Sequence, residues 1–197
     1  MTTLEVEIKF SVNPLGMAEL EQQLRQFGGT QFDEPVMEFD LFFQHPSRNF
    51  VQTDECLRLR NRTLPDGTAQ HSLTYKGPTM DTSTKTRPEI EIPITEPERW
   101  KNLLTALGFI PSASVQKFRR RQGLTVKHRH VEVVLDTLPA LPESDRLFLE
   151  IEILARPEEI EESRTLILDM AKRLGLSEPV RDSYLRLVQN YQRKDNG

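Results

Sequence analysis

From Leu4 to Phe10 the chain alternates without a break. Leu4, Val6, Ile8 and Phe10 fall on one parity and Glu5, Glu7 and Lys9 on the other. A period of two predicts a strand whose two faces meet different surroundings. The pattern recurs along the chain. Residues 37–43 read as a second strand, and His45-Pro46-Ser47-Arg48-Asn49 as a loop. From Glu55, Leu57 and Leu59 alternate with Arg58, Arg60 and Arg62. Pro65-Asp66-Gly67 has hairpin-turn chemistry and leads into a return strand from Gln70 to Lys76. Arg87, Glu89 and Glu91 then alternate with Pro88, Ile90 and Ile92. Lys117, Arg119 and Arg121 share a parity within Val115–Arg121, and Gln122-Gly123 is read as a turn into a strand over Leu124–Asp136. In the last strand Leu147, Leu149, Ile151 and Ile153 alternate with Phe148, Glu150 and Glu152.

Helices fill the gaps. Asn13-Pro14 supplies an N-cap and a first-turn proline for a helix carrying Leu15, Leu20, Leu24 and Phe27, stopped by Gly28-Gly29. Thr95 and Glu98 have capping-box spacing before Trp100, Leu103, Leu104 and Leu107. Two further helices are expected at about 157–174 and 181–192. The count is about eight strands and four helices, with the strands mostly linked by hairpins and so antiparallel.

Almost every strand pairs an apolar parity with a charged one. The helices need the apolar parity to pack on. Eight antiparallel strands can close on themselves, which leaves no exposed edge and turns the charged parity into a lumen. The expected fold is therefore α+β and mainly antiparallel β: a closed, eight-stranded, tunnel-like barrel with a charged lumen and helices packed outside. No repeat or linker divides the 197 residues, so one domain is expected, with the C-terminal helices (about 157–192) part of it.

Composition narrows the class. A net charge of −4 argues against a broad nucleic-acid surface. A single cysteine, Cys56, excludes a disulfide framework or cysteine-rich zinc site within the chain. No apolar run reaches membrane-spanning length and no signal peptide is evident, so a soluble, cytoplasmic protein without a membrane partner is expected.

A charged lumen is costly unless neutralised. The bases cluster by strand, and the acids cluster as two Glu-x-Glu pairs at opposite ends of the sequence. That segregation suits a ligand of both signs. Phosphate oxygens match arginine and lysine, and clustered carboxylates match Mg²⁺ or Mn²⁺. A metal–polyphosphate complex satisfies both halves. No Gly-x-x-x-x-Gly-Lys loop exists, so side chains would have to hold the phosphates.

These blocks resemble a known family. Glu5-x-Glu7-x-Lys9 is similar to the signature of the CYTH superfamily, the triphosphate tunnel metalloenzymes. Asp40-Leu41-Phe42-Phe43, His45 to Phe50, Thr53 to Arg60 and Leu73 to Pro78 resemble its class IV adenylyl cyclase branch. Arg87-x-Glu89-x-Glu91, Val115-Gln116-Lys117-x-Arg119, Phe148 to Glu152 and Ser183-Tyr184 do too. Phe42 departs from the pattern, standing where many relatives, thiamine triphosphatases among them, have tyrosine. The resemblance implies metal carboxylates at Glu5, Glu7, Glu150 and Glu152 with Asp136 nearby. It implies triphosphate ligands at Lys9, Arg58, Arg60, Lys76, Arg87, Lys117 and Arg119, with Lys9, Glu7 and Glu152 closest to the chemistry. The activity it implies is Mg²⁺- or Mn²⁺-dependent conversion of ATP to cyclic AMP and pyrophosphate. The alternative is a triphosphatase acting on tripolyphosphate, a nucleoside triphosphate or thiamine triphosphate. A non-catalytic polyphosphate-binding module would not need both Glu-x-Glu pairs. A homodimer is compatible with all three.

Other signals carry less. His128 and His130 are spaced for a metal but lack further ligands and fit a solvated hairpin; Cys56 has no neighbouring base and fits a packing role.

Overall fold

The computed structural model describes residues 4–81 and 83–195. Eight strands, β1 (Leu4–Ser11), β2 (Val36–Gln44), β3 (Cys56–Thr63), β4 (Ala69–Lys76), β5 (Lys85–Ile94), β6 (Ile110–Val126), β7 (Arg129–Thr137) and β8 (Leu147–Ala155), close into one antiparallel barrel. The order around it is β1-β5-β4-β3-β2-β6-β7-β8, so the first strand is joined to both the fifth and the last. Five helices lie outside: α1 (Met17–Gln26), α2 (Phe50–Thr53), α3 (Pro97–Ala106), α4 (Ile160–Arg173) and α5 (Tyr184–Asp195).

The parity argument places the core. Val6, Ile8 and Phe10 of β1, Val131, Val133 and Leu135 of β7 and Leu149, Ile151 and Ile153 of β8 point outward. They pack under Leu166, Ile167 and Met170 of α4 and Leu20 and Leu24 of α1. A second cluster joins Phe43, Leu57 and Leu59 to Phe50 of α2 and Leu104 of α3. The helices thus bury the outside of the barrel, and burial of this apolar area drives closure.

Local details depart from expectation at four points. The Gln122-Gly123 turn does not form: β6 runs straight through it for 17 residues. Gly123 makes room there, since a β-carbon would lie 3.0 Å from the His130 ring across the ladder. The chain turns instead at Lys127-His128, both with positive φ (48° and 66°), as a two-residue hairpin of the right-handed twist requires. The Thr95 capping box is absent. Pro97 takes the first helical position, Glu96 is the cap, in a left-handed conformation, and its carboxylate pairs with Arg99 at 3.1 Å. The loop after β2 contains the short helix α2, capped by Asn49, whose side chain accepts from Val51 and Gln52 N–H. Leu15, 93% exposed, lies in a 3-10 turn (Pro14–Gly16) ahead of α1, which itself buries only Leu20 and Leu24. Asn13 caps that 3-10 turn rather than α1, and the Pro65-Asp66-Gly67 turn forms as expected.

Candidate functional site in the barrel lumen

A cavity of about 1160 Å³ runs along the barrel interior, enough for a nucleotide. Eleven of the twelve candidate site residues line it: Glu5, Glu7 and Lys9 of β1, Arg58 and Arg60 of β3, Lys76 of β4, Arg87 of β5, Lys117 and Arg119 of β6, and Glu150 and Glu152 of β8. Asp136 of β7, with no exposed surface, stands behind them.

The acids meet because β1 pairs with β8. Glu7 is opposite Glu152, and Lys9 opposite Glu150. Carboxylate oxygens of Glu5, Glu7 and Glu152 all lie within 4.8 Å of one another. Burial raises the Glu152 pKa well above the carboxylate range; Arg119 opposes this, and Glu150, Glu5 and Glu7 add to it. Three hard oxygen donors this close, one of them costly to ionise, fit a divalent cation of the Mg²⁺ or Mn²⁺ type. The other two predicted acids are otherwise engaged. Glu150 accepts from Arg119 at 2.6 Å. Asp136 accepts from Lys117 at 3.0 Å and from Arg119 at 2.7 and 2.5 Å.

The basic residues divide in the same way. Arg60 is 1% exposed and gives both arms to Asp40, and its Nη1 lies 2.9 Å from Glu38. Lys117 and Arg119 are held by Asp136 and lie 3.5 and 3.8 Å from Glu38. Lys76 donates to both oxygens of Glu5 at 2.6 Å, and Glu5 and Glu89 lift its pKa against burial. Arg58 and Arg87 are less committed. Their nearest carboxylate contacts are 3.6 Å (Asp40) and 3.7 Å (Glu5), and the buried Nε of each has no hydrogen-bond partner. Lys9 is 3.9 Å from Glu150, and its ammonium sits 4.1 Å from the centre of the Tyr184 ring.

Sequence reasoning missed Glu38 and Asp40. Both face inward on β2, and both are buried. Burial opposes their ionisation, but Lys117, Arg119, Arg60 and Arg62 hold the Glu38 carboxyl well below the usual range, and Arg60 and Arg58 lower that of Asp40. The charges are therefore less segregated than the Glu-x-Glu pairs alone imply. The charges of β2, β6 and β7 pair mostly with one another, although Arg121 Nε on β6 lacks a hydrogen-bond partner as do Arg58 Nε on β3 and Arg87 Nε on β5. Lys85, opposite Glu7 at the head of β5, escapes a sequence reading because the polar loop before it hides the strand start. Burial and the neighbouring Lys9 lower its pKa. Tyr184 stands out in the sequence only through its motif. Its buried hydroxyl has no partner, and burial, with Asp136 and Glu150 nearby, pushes its pKa well up. His130 lines the lumen too, while His128 sits at the hairpin tip.

Comparison with known proteins gives a consistent picture. Residues 3–184 match the CYTH domain family. A Methanocaldococcus jannaschii protein named "Putative adenylate cyclase MJ0240" is 31% identical over 191 residues, covering 93% of this chain and 98% of its own. The structure of the PH1819 protein from Pyrococcus horikoshii OT3 superposes with a TM-score of 0.77 at 32% identity, covering 95% of this chain and 99% of that one. A Hippeastrum protein, described as a putative adenylyl cyclase with a dominant triphosphatase activity, shares the fold at a TM-score of 0.60 and 15% identity, over 96% of both chains. Among the described residues no helix is long and apolar enough to cross a membrane.

Proposed function

The chain belongs to the CYTH family, and from that premise we propose that it converts ATP to cyclic AMP and pyrophosphate in the barrel lumen, with Mg²⁺ or Mn²⁺ bound by Glu5, Glu7 and Glu152. The observation that carries this reading is the pairing of a three-carboxylate cluster with arginines whose buried Nε atoms lack partners. Each half is unfavourable alone, and a metal–triphosphate complex satisfies both. The name of the archaeal relative at 31% identity supports cyclisation as the reaction.

Lys9, Arg58, Lys85 and Arg87 grip the phosphate chain and bear the charge that develops on it. Glu5, Glu7 and Glu152 would hold a divalent cation, which when bound would supply positive charge to offset that of the phosphates and of the leaving pyrophosphate. Asp136 and Glu150 hold Arg119 in a fixed orientation. Tyr184 covers Lys9 and Lys117 (4.1 and 4.9 Å) and keeps water from them. The 3′-hydroxyl of the ribose attacks the α-phosphorus as the P–O bond to the β-phosphate breaks, and the hydroxyl proton leaves with the pyrophosphate.

A second reading is hydrolysis of the terminal phosphate, for which the same carboxylates and bases would serve with water as the nucleophile. Phosphorus NMR of the products from ATP, tripolyphosphate and thiamine triphosphate, each with Mg²⁺ and Mn²⁺, separates the two. Cyclic AMP with pyrophosphate supports cyclisation. Orthophosphate with no cyclic product replaces it by triphosphatase activity, and turnover of nothing overturns both.

A further inference from the structure

The β2–β3 connection ends at one mouth of the lumen, and its geometry is fixed by more contacts than a simple connection needs. Glu55 is buried and accepts from Arg48 (2.9 Å), Thr53 (2.7 Å) and the Tyr75 hydroxyl (2.6 Å). Its neighbour Asp54 is the C-cap of α2, in a left-handed conformation with φ 56°. The Asp54 carboxylate accepts from Thr79 of the β4–β5 loop at 2.5 Å. It lines the cavity, and its charge acts on both Lys85 and Arg87. An exposed carboxylate, tied to Thr79, thus stands at the rim beside Lys85 and Arg87.

We propose that Asp54 is a specificity-determining residue that limits the phosphate chain the lumen accepts to three. This rests on the reading of the lumen as a triphosphate site. A chain gripped by Lys85 and Arg87 brings its next group to the rim. Whichever end of the chain faces that way, the group beyond the third phosphate must be absent or uncharged, as the ribose of a nucleotide is. A fourth phosphate would meet the Asp54 carboxylate, which the Thr79 hydroxyl holds at the rim. Like charges a few ångströms apart near a protein surface repel strongly enough to shift binding about tenfold or more. Rejection of the wrong ligand by a placed repulsive charge is a common route to specificity.

The test is calorimetric binding of tripolyphosphate and tetrapolyphosphate at one ionic strength to the wild type, Asp54→Asn and Glu98→Gln. Asparagine tolerates the left-handed backbone and can still accept from Thr79, so the rim should keep its shape. Glu98→Gln makes the same change in net charge on α3. The wild type should favour tripolyphosphate by about tenfold or more. Asp54→Asn should reduce that preference about tenfold while changing tripolyphosphate affinity less than about threefold, and Glu98→Gln should leave the preference intact. A preference in Asp54→Asn within twofold of wild type overturns the assignment, as does wild-type protein that binds both chains equally, though the triphosphate reading then stands. If the wild type binds neither chain, that reading falls and the assignment falls with it.

Discussion

Asp40 accepts both arms of Arg60, at 2.6 and 2.7 Å, inside a barrel wall where the two residues are 3% and 1% exposed. A bidentate pair this buried is stabilising only as a pair. Removing one partner leaves a naked charge in a poorly hydrated place. Asp40→Ala should cost about 3–5 kcal/mol in urea denaturation. Asp40→Leu combined with Arg60→Met should recover most of it. A double variant as unstable as the single would show that the pair is not the source of the loss.

Arg58 and Arg60 are two residues apart on one strand but should answer differently to lysine. Arg58→Lys keeps the charge and loses the planar fork. Because the Arg58 Nε has no protein partner, the expected outcome is about tenfold weaker tripolyphosphate binding with little change in stability. Arg60→Lys should instead lower stability by about 2 kcal/mol through the loss of one arm to Asp40. Calorimetric titration and denaturation of both proteins decide the matter. If affinity follows Arg60 rather than Arg58, the division of the bases is wrong.

Glu7→Ala and Glu152→Ala should each abolish Mg²⁺- or Mn²⁺-dependent turnover, because affinity for a hard cation rests on the number of carboxylates. Neither should destabilise the metal-free fold, since each removes repulsion from a crowded cluster. Thermal unfolding with and without Mg²⁺ checks both halves. The wild type should gain stability with the ion, and the variants should not. A full metal response in either variant refutes the cluster as the site.

Acid should loosen the β2 wall. Glu38 and Asp40 have folded-state pKa values depressed below their ordinary 4.5 and 3.8, so the stability they contribute is fully present above that range. It is lost progressively as pH falls below about 4 toward their folded-state values. Denaturation midpoints measured from pH 7 down to pH 2.5 should fall more steeply for the wild type than for Glu38→Gln, which carries no such proton-linked gain. Parallel curves would remove Glu38 from the account.

The hairpin at Lys127-His128 places two non-glycine residues at φ 48° and 66°. His128→Gly should stabilise the protein by about 0.5 kcal/mol, relief of the left-handed backbone slightly outweighing the added freedom of the unfolded chain. A loss of stability on that exchange would mean that the histidine side chain contributes more than its backbone costs.

The closed barrel was legible because Leu4–Phe10, the arginine strand and Leu147–Ile153 keep strict alternation, which binds each residue to one face. The two Glu-x-Glu pairs, Glu5 with Glu7 and Glu150 with Glu152, could be grouped for the same reason, but that Glu150 turns to Arg119 and leaves a cluster of three could not. Glu38 and Asp40 were hidden by Phe42 and Phe43. Two adjacent aromatics blur the parity of β2, and only its register with Arg60 and Lys117 shows which side faces in. Gly123 misled because glycine signals a turn equally well when it merely makes room for a ring across the ladder. The contacts of Asp136 with Lys117 and Arg119 depend on side-chain directions that a one-dimensional pattern does not contain.

The register of β1 carries a consequence for how the protein is made. Leu4 lies opposite Pro88 on one side and Ala155 on the other. The first strand to leave the ribosome therefore cannot be zipped on both sides until the last has emerged, and hairpins from β2 to β4 and from β6 to β8 can form while it waits. Glu5 and Glu7 thus emerge with the first strand of the barrel and reach Glu152 only when the last has followed. A chain released before β8 would carry nearly all of the lumen's bases but only two of the three clustered acids, in an open and unsealed sheet.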